Sequence, residues 1–295
     1  MIIRYGTIEE NIDVTDICLL KLTKNNIITI PNGDENRANF FTDPVCGIKK
    51  KIFITLDDIT NEYEDYYLIK IDIVTKLVNT ISNYEIDDKI ANIHSKLNIA
   101  HGDFSEELPE QKMVVRYLTG NENVLEIGGN IGRNSLIISS ILKNDNNLVT
   151  LESDKDIAVL LKENRDLNNL NFHIENSALS MKKLIQREWD TIYSDELLDG
   201  YKWVNTITLN ELYDKYNITF DTLILDCEGA FYYILIDMPE ILNNISLIIM
   251  ENDYHDILHK QYVDNVLTQH NFYRDYVESG GWGVCYNNFY EVWKK

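Results

Sequence analysis

A chain of 295 residues with 44% hydrophobic content can bury a substantial core and has room for two domains. Its formal net charge of -21 repels phosphate backbones and anionic lipid surfaces, which argues against nucleic acid and membrane as partners. Four cysteines, Cys18, Cys46, Cys227 and Cys285, show neither CxxC pairing nor zinc-ligand spacing, so reduced core or near-core thiols in a cytoplasmic setting are expected.

The first residues, "MIIRYGTIEEN", lack the basic region and long apolar stretch of an export signal, and apolar runs such as "ISLIIM" are far too short to span a bilayer. Residues 1–58 carry short β-favouring runs, "MIIRY", "DICLLKL", "NIITIP" and "KKKIFITL", separated by the turn clusters "PNGDEN" and "TDPVCG". A small β-rich accessory module is expected there. Over 59–104, "YYLIKIDIVTKLVNTISNY" and "DDKIANIHSKLNI" space their apolar residues nearer three and four apart, which predicts a helical connection.

From 105 to 295 strand and helix signals alternate, the signature of an α/β domain built on a parallel sheet with crossover helices. Strands are predicted at 123–127, 147–152, 170–175, 221–226, 245–251, 271–277 and 284–290. Only "ESGGWG" separates the last two, too short for a crossover, so they should form an antiparallel hairpin. The expected fold is a Rossmann-like sheet of seven strands ending in that hairpin.

The first of these strands runs into "NVLEIGGNIGRNSL". Gly128, Gly129 and Gly132 bare the backbone at the turn into a helix, with Asn130 between them, and twenty residues on "LVTLESD" places Glu152 at the end of the next strand, where a carboxylate can accept both hydroxyls of a ribose. That cradle fits a nucleoside. A dinucleotide fingerprint would need glycine where Ile127 stands, and Glu126 inside the strand would repel a diphosphate. S-adenosylmethionine, with its sulfonium and ammonium charges, suits an acidic pocket.

The domain resembles the class I S-adenosylmethionine-dependent methyltransferases, and within them the FkbM group, over about residues 105–290. The resemblance rests on "VLEIGGNIG" at 124–132, "NSALS" at 176–180, "TITLNEL" at 206–212 and "LILDCEGAFYYIL" at 223–235, with "LIIMEND" at 247–253 similar to a strand ending in glutamate. Asp226-Cys227-Glu228-Gly229-Ala230 is similar to the group's D-V-E-G-A, while Ile224, Phe231 and Asn210 depart from its usual residues.

What the resemblance implies is an O-methyltransferase acting on a small hydroxylated acceptor, with sugars and glycans frequent among such substrates. It implies a cofactor site drawn from Glu126, Gly128, Asn130, Gly132, Glu152, Ser177, Ala178, Asp226 and Glu228, and catalytic work by Asp226, Glu251 or His255, one of which takes the acceptor's proton. Asp226 and Glu228 read equally as cap and first-turn acid of the helix near Gly229. A divalent metal at Asp226, Glu251 or Asp253 is chemically reasonable, but no spacing demands one.

Tyr193, Tyr201 and Trp203 lie in a long connection where their rings could stack on a sugar or cover the sheet edge. The N-terminal module is expected to recognise carbohydrate or to join chains into a homo-oligomer. Two other function classes stay open: an NAD(P)-dependent oxidoreductase, and a binding scaffold that keeps the fold without the chemistry.

Overall fold

The computed structural model describes the backbone of all 295 residues and the side chains of residues 1–82 and 85–295. Internal contacts divide the chain into two units, Met1–Lys89 and Ile90–Lys295.

The first unit contains β1 (Ile2–Gly6), β2 (Asn11–Asp13), α1 (Thr15–Lys21), β3 (Thr23–Lys24), β4 (Ile27–Ile30), α2 (Asp34–Phe41), β5 (Lys51–Leu56), β6 (Ile59–Tyr63), β7 (Tyr67–Asp72) and β8 (Val78–Ser82). They form two four-stranded sheets, ordered β2-β1-β5-β6 and β3-β4-β7-β8. Ile3, Tyr5, Ile28, Ile30, Ile52 and Ile71 belong to their shared core.

The β-rich module therefore extends well past residue 58, and the helical connection expected over 59–104 is corrected. Residues 59–82 carry β6, β7 and β8, and helix appears only at α3 (Asn83–His94) and at the start of the next helix, past residue 107. The physical reason lies in β7, where Ile69 and Ile71 are buried and Lys70 and Asp72 are less so. That alternation has period two, and β-branched residues pack well on a pleated surface.

The second unit continues with α4 (Leu108–Tyr117), β9 (Val124–Ile127), α5 (Arg133–Ile141), β10 (Leu148–Leu151), α6 (Lys155–Leu167), β11 (His173–Glu175), β12 (Ala178–Leu179), β13 (Leu184–Arg187), β14 (Asp190–Tyr193), β15 (Lys202–Val204), β16 (Thr206–Ile207), α7 (Leu209–Tyr216) and β17 (Thr222–Leu225). It closes with α8 (Ala230–Asp237), β18 (Leu247–Glu251), α9 (Ile257–Gln269), β19 (Tyr273–Glu278) and β20 (Tyr290–Lys294).

Seven strands form the main sheet in the order β11-β10-β9-β17-β18-β20-β19. Its first five are parallel, and β20 runs antiparallel to both β18 and β19. This is the expected Rossmann-like α/β fold with its terminal hairpin. β9, β10 and β17 are buried along their whole length, as near-continuous apolar runs covered on both faces should be. The predicted last strand at 284–290 lies instead at Tyr290–Lys294, because Gly283–Asn288 forms a 3-10 turn. Gly281 and Gly283 adopt positive φ there, which breaks the extended chain.

Strand order reverses between β9 and β17, so a crevice opens beyond their carboxyl ends, where open α/β sheets bind ligands. Helix signals written in the sequence start two of the neighbouring helices. Asp154 caps α6 by accepting from the N–H groups of Asp156 and Ile157, and Thr208 and Glu211 form a reciprocal capping box at the start of α7.

After β11 the chain leaves the main sheet: β12 and β16 pair with each other, and between them it builds a three-stranded sheet, β14-β13-β15. All four cysteines are free; Cys18 and Cys285 are buried, Cys227 is half-buried, and Cys46 is exposed in a turn, away from the core position expected of it. No helix among the described residues is long and apolar enough to cross a membrane.

Candidate active site

Glycine sets the shape of the crevice floor. Gly128 ends β9 with φ +92°, and a Cβ there would stand 1.5 Å from the carbonyl oxygen of Asp226 on the neighbouring strand end. Gly132, at φ +93°, is the N-cap of α5. Asn130 between them is itself left-handed, at φ 46°. Its N–H donates to Glu152 Oε2 at 2.8 Å, and its side-chain amide donates to Glu107 Oε1 at 3.1 Å. The turn is thus tied to the end of β10 by a charge-assisted hydrogen bond.

A cavity of about 570 Å³ lies over this floor. Gly128, Asn130, Glu152, Ser177, Ala178, Asp226 and Glu228 line it, which brings together seven of the residues expected at the cofactor site. Glu152 holds its place by accepting from the N–H groups of Asn130 and Asp154, each at 2.8 Å. Burial pushes its carboxyl up to about 7 against those hydrogen bonds. Ser177 and Ala178 follow β11, and the Ser177 hydroxyl donates to Glu175 Oε1 at 3.1 Å.

Glu126 and Gly132 do not line the cavity. Glu126 is 1% exposed and points away from it, accepting hydrogen bonds from the hydroxyls of Ser135 and Thr150. Its position inside β9 explains this: alternate strand residues face opposite layers, so Ile127 faces the cavity and Glu126 faces α5.

Burial pushes the Glu126 carboxyl from its ordinary 4.5 up to about 7. The folded state then binds this proton more tightly than the unfolded chain, so the favourable contribution is complete below about pH 4.5 and is lost as pH rises through 7. Glu126→Gln removes that loss. Relative to wild type its stability is expected to climb over the same interval by up to about 3 kcal/mol, measured by urea unfolding at pH 4.5 and 8. Parallel pH dependence in the two proteins would refute the assignment.

On the other side of Asp226 the acids gather. Asp226, Glu251 and Asp253 bring one carboxylate oxygen each to within 4.8 Å of one another. Burial and the carboxylates of Glu107, Glu110 and Asp253 push Asp226 well above its ordinary value. Burial, and next a hydrogen bond with the carboxyl of Glu110, drives Glu251 up to about 11, and burial with Glu228 takes Asp253 up to about 7. Asp226 does not cap α8: that helix has no side-chain cap, and the N–H of Gly229 donates instead to Asp253 Oδ1 at 2.7 Å.

His255 is exposed, with its ring 4.7 Å from that of Trp282, and it does not line the cavity. The connection after β12 sends Tyr193 to the cavity wall, together with Trp189, which the sequence did not single out. Tyr201 instead lies under the guanidinium of Arg187 at 4.7 Å, and Trp203 faces a separate surface depression. Glu110 also escaped notice, since it sits in the first turn of α4 with no motif around it.

The cavity's charge limits what can enter. Among its lining residues Lys182 is the one basic side chain, and Asp237 neutralises it at 2.9 Å, while Glu152, Asp226 and Glu228 have no cationic partner among the described residues. A cationic ligand gains from this arrangement and a diphosphate does not.

No protein-family model matches the sequence, and no curated protein matches it at a significant level. Among solved structures, the chain is similar to an O-methyltransferase from Bacillus cereus in complex with SAH, at 16% identity and TM-score 0.42, covering 72% of this chain and 90% of that one. It is similar to a ribosomal protein L11 methylase from Lactobacillus delbrueckii subsp. bulgaricus at 10% identity and TM-score 0.40, covering 64% and 78%. A fibrillarin from Aeropyrum pernix with natively bound S-adenosyl-L-methionine matches at 9% identity and TM-score 0.38, covering 78% and 93%.

Proposed function

We propose that the second unit is an S-adenosylmethionine-dependent O-methyltransferase of the FkbM group, acting on a small hydroxylated acceptor, a sugar or glycan. The observation that carries the reading is a nucleoside-sized cavity whose carboxylates outnumber its single, already neutralised lysine. S-adenosylmethionine would supply an electrophilic methyl group on a sulfonium. Glu152 would accept from the ribose hydroxyls, Ser177 and Ala178 would flank the adenine, and Gly128 would let the ligand lie against bare backbone.

Asp226 and Glu251 stand at adjacent strand ends, where they would orient the acceptor hydroxyl; Asp226 would take its proton, because Glu251, pushed up to about 11, keeps its own. Alignment of that oxygen supplies most of what such a displacement needs. A nicotinamide dinucleotide would bring its diphosphate against Asp226 and Glu228, which disfavours the oxidoreductase reading.

Calorimetric titration with S-adenosylhomocysteine and with NAD⁺ decides the cofactor. Glu152→Ala is expected to weaken S-adenosylhomocysteine binding about 10- to 100-fold, as loss of a charged hydrogen-bond acceptor does; unchanged affinity would take Glu152 out of the site. Incubation with S-adenosylmethionine and a panel of nucleotide sugars, free glycans and RNA should then show a methyl gain on the carbohydrate arm. Methylation of RNA alone would overturn the acceptor class. For the N-terminal unit we propose carbohydrate recognition or self-association within the cytoplasm, and sedimentation of the full chain with and without glycan separates the two.

A further inference from the structure

The turn that floors the cavity has little stiffness of its own. Three of its five residues, Gly128 to Gly132, are glycines, the residue type with the most backbone freedom to lose, and Asn130 is held at a left-handed φ of 46°. Yet each of the five N–H groups is engaged. Those of Gly128 and Gly129 donate to the carbonyl of Leu151, that of Asn130 to Glu152 Oε2, that of Ile131 to Asn130 Oδ1, and that of Gly132 to the carbonyl of Gly129.

A side chain from outside the turn clamps it. Glu107 Oε1 accepts from the Asn130 side-chain amide at 3.1 Å and from Arg133 Nη1 at 2.8 Å, so one oxygen bridges both residues across the start of α5. Arg133 is itself fixed, its Nε donating to the carbonyl of Asp103 at 3.0 Å and its Nη2 paired with Glu106. Glu107 stands at the N-cap of α4 with a left-handed backbone, φ 58° and ψ 23°. Such a conformation in a residue other than glycine costs free energy and persists only where the surroundings fix it. Two charge-assisted bonds accepted by the same oxygen do so here.

We infer that Glu107 is a positioning residue for the cofactor: by holding the Asn130 amide it sets the turn, and the Asn130 N–H then keeps Glu152 in reach of the ribose. The inference rests on the proposed S-adenosylmethionine site. Glu107 does not line the cavity and acts through Asn130 and Glu152, which do.

Hydrogen exchange of the five turn amides in the ligand-free full-length protein, with calorimetry of S-adenosylhomocysteine, tests this. Arg133 keeps Glu106 and the Asp103 carbonyl in Glu107→Ala, so the variant is expected to fold. Its exchange at 128–132 should be faster by about tenfold, and its S-adenosylhomocysteine affinity lower by about tenfold. Glu107→Asp tolerates the left-handed backbone but falls one methylene short of Asn130; it should show the same losses and carries the test if the alanine variant does not fold. Glu107→Gln offers a carbonyl oxygen where Oε1 stands and should restore both readings to within about threefold of wild type.

Because Glu107 acts through Glu152, adding Glu107→Ala to Glu152→Ala should lower affinity little further, as residues of one network are not additive. Wild-type exchange at 128–132 in Glu107→Ala or Glu107→Asp, no restoration by Glu107→Gln, or a full additional loss on top of Glu152→Ala would overturn the assignment. If the wild type fails to bind S-adenosylhomocysteine, the methyltransferase proposal falls, while the exchange rates still decide whether Glu107 sets the turn.

Discussion

Gly128→Ala is expected to lose about 2–5 kcal/mol of stability and to abolish measurable S-adenosylhomocysteine binding. The added methyl would stand 1.5 Å from the carbonyl oxygen of Asp226, and that oxygen belongs to backbone at the end of a wholly buried strand. Nothing flexible can yield. An alanine that keeps the positive φ must also force apart the ends of β9 and β17, so both costs apply: overpacking about 1–3 kcal/mol and left-handed strain about 1–2. Separating the strand ends would also move Asp226 off the cavity wall. Guanidinium unfolding with parallel calorimetry measures both effects, and a variant with wild-type midpoint and affinity would show that the two strand ends do not approach so closely.

The second large effect concerns Asp226. Asp226→Asn changes one oxygen for nitrogen at nearly constant volume, removes one charge from an acidic cluster, and is expected to fold with undiminished stability. Turnover on the carbohydrate acceptor should nevertheless fall by about 10²–10⁴, the usual consequence of losing a positioned proton acceptor. Cofactor affinity should change far less, because Glu152 and the Gly128 backbone remain. Near-normal turnover would take the proton-accepting role away from Asp226, whereas a matching loss of S-adenosylhomocysteine affinity would recast Asp226 as a cofactor ligand. His255, exposed beside Trp282, is the weaker candidate on geometry.

Much of the second unit was legible in the chain itself. The alternation of apolar runs with amphipathic stretches, and a final connection too short for a crossover, were enough for a parallel sheet ending in a hairpin, because these are local properties of spacing and loop length. Gly128, Asn130, Glu152, Ser177 and Ala178 were legible for the same reason: each follows a strand end, and strand ends on one side of a parallel sheet must share a face.

Tertiary structure alone decided the rest. Which side of β9 Glu126 faces depends on register against α5 and β10, so a residue expected at the cofactor turned out to be sealed under Ser135 and Thr150. The strands β6, β7 and β8 were hidden because isoleucine and tyrosine recur at intervals that satisfy a helical and a pleated period alike, and only pairing partners choose between them. Glu110 joined the acids beyond Asp226 from a helix more than a hundred residues away in sequence. Strand and turn types follow from neighbours along the chain, whereas the charge of a site is a sum over space, and that sum was settled only when α4, β17 and β18 were packed together.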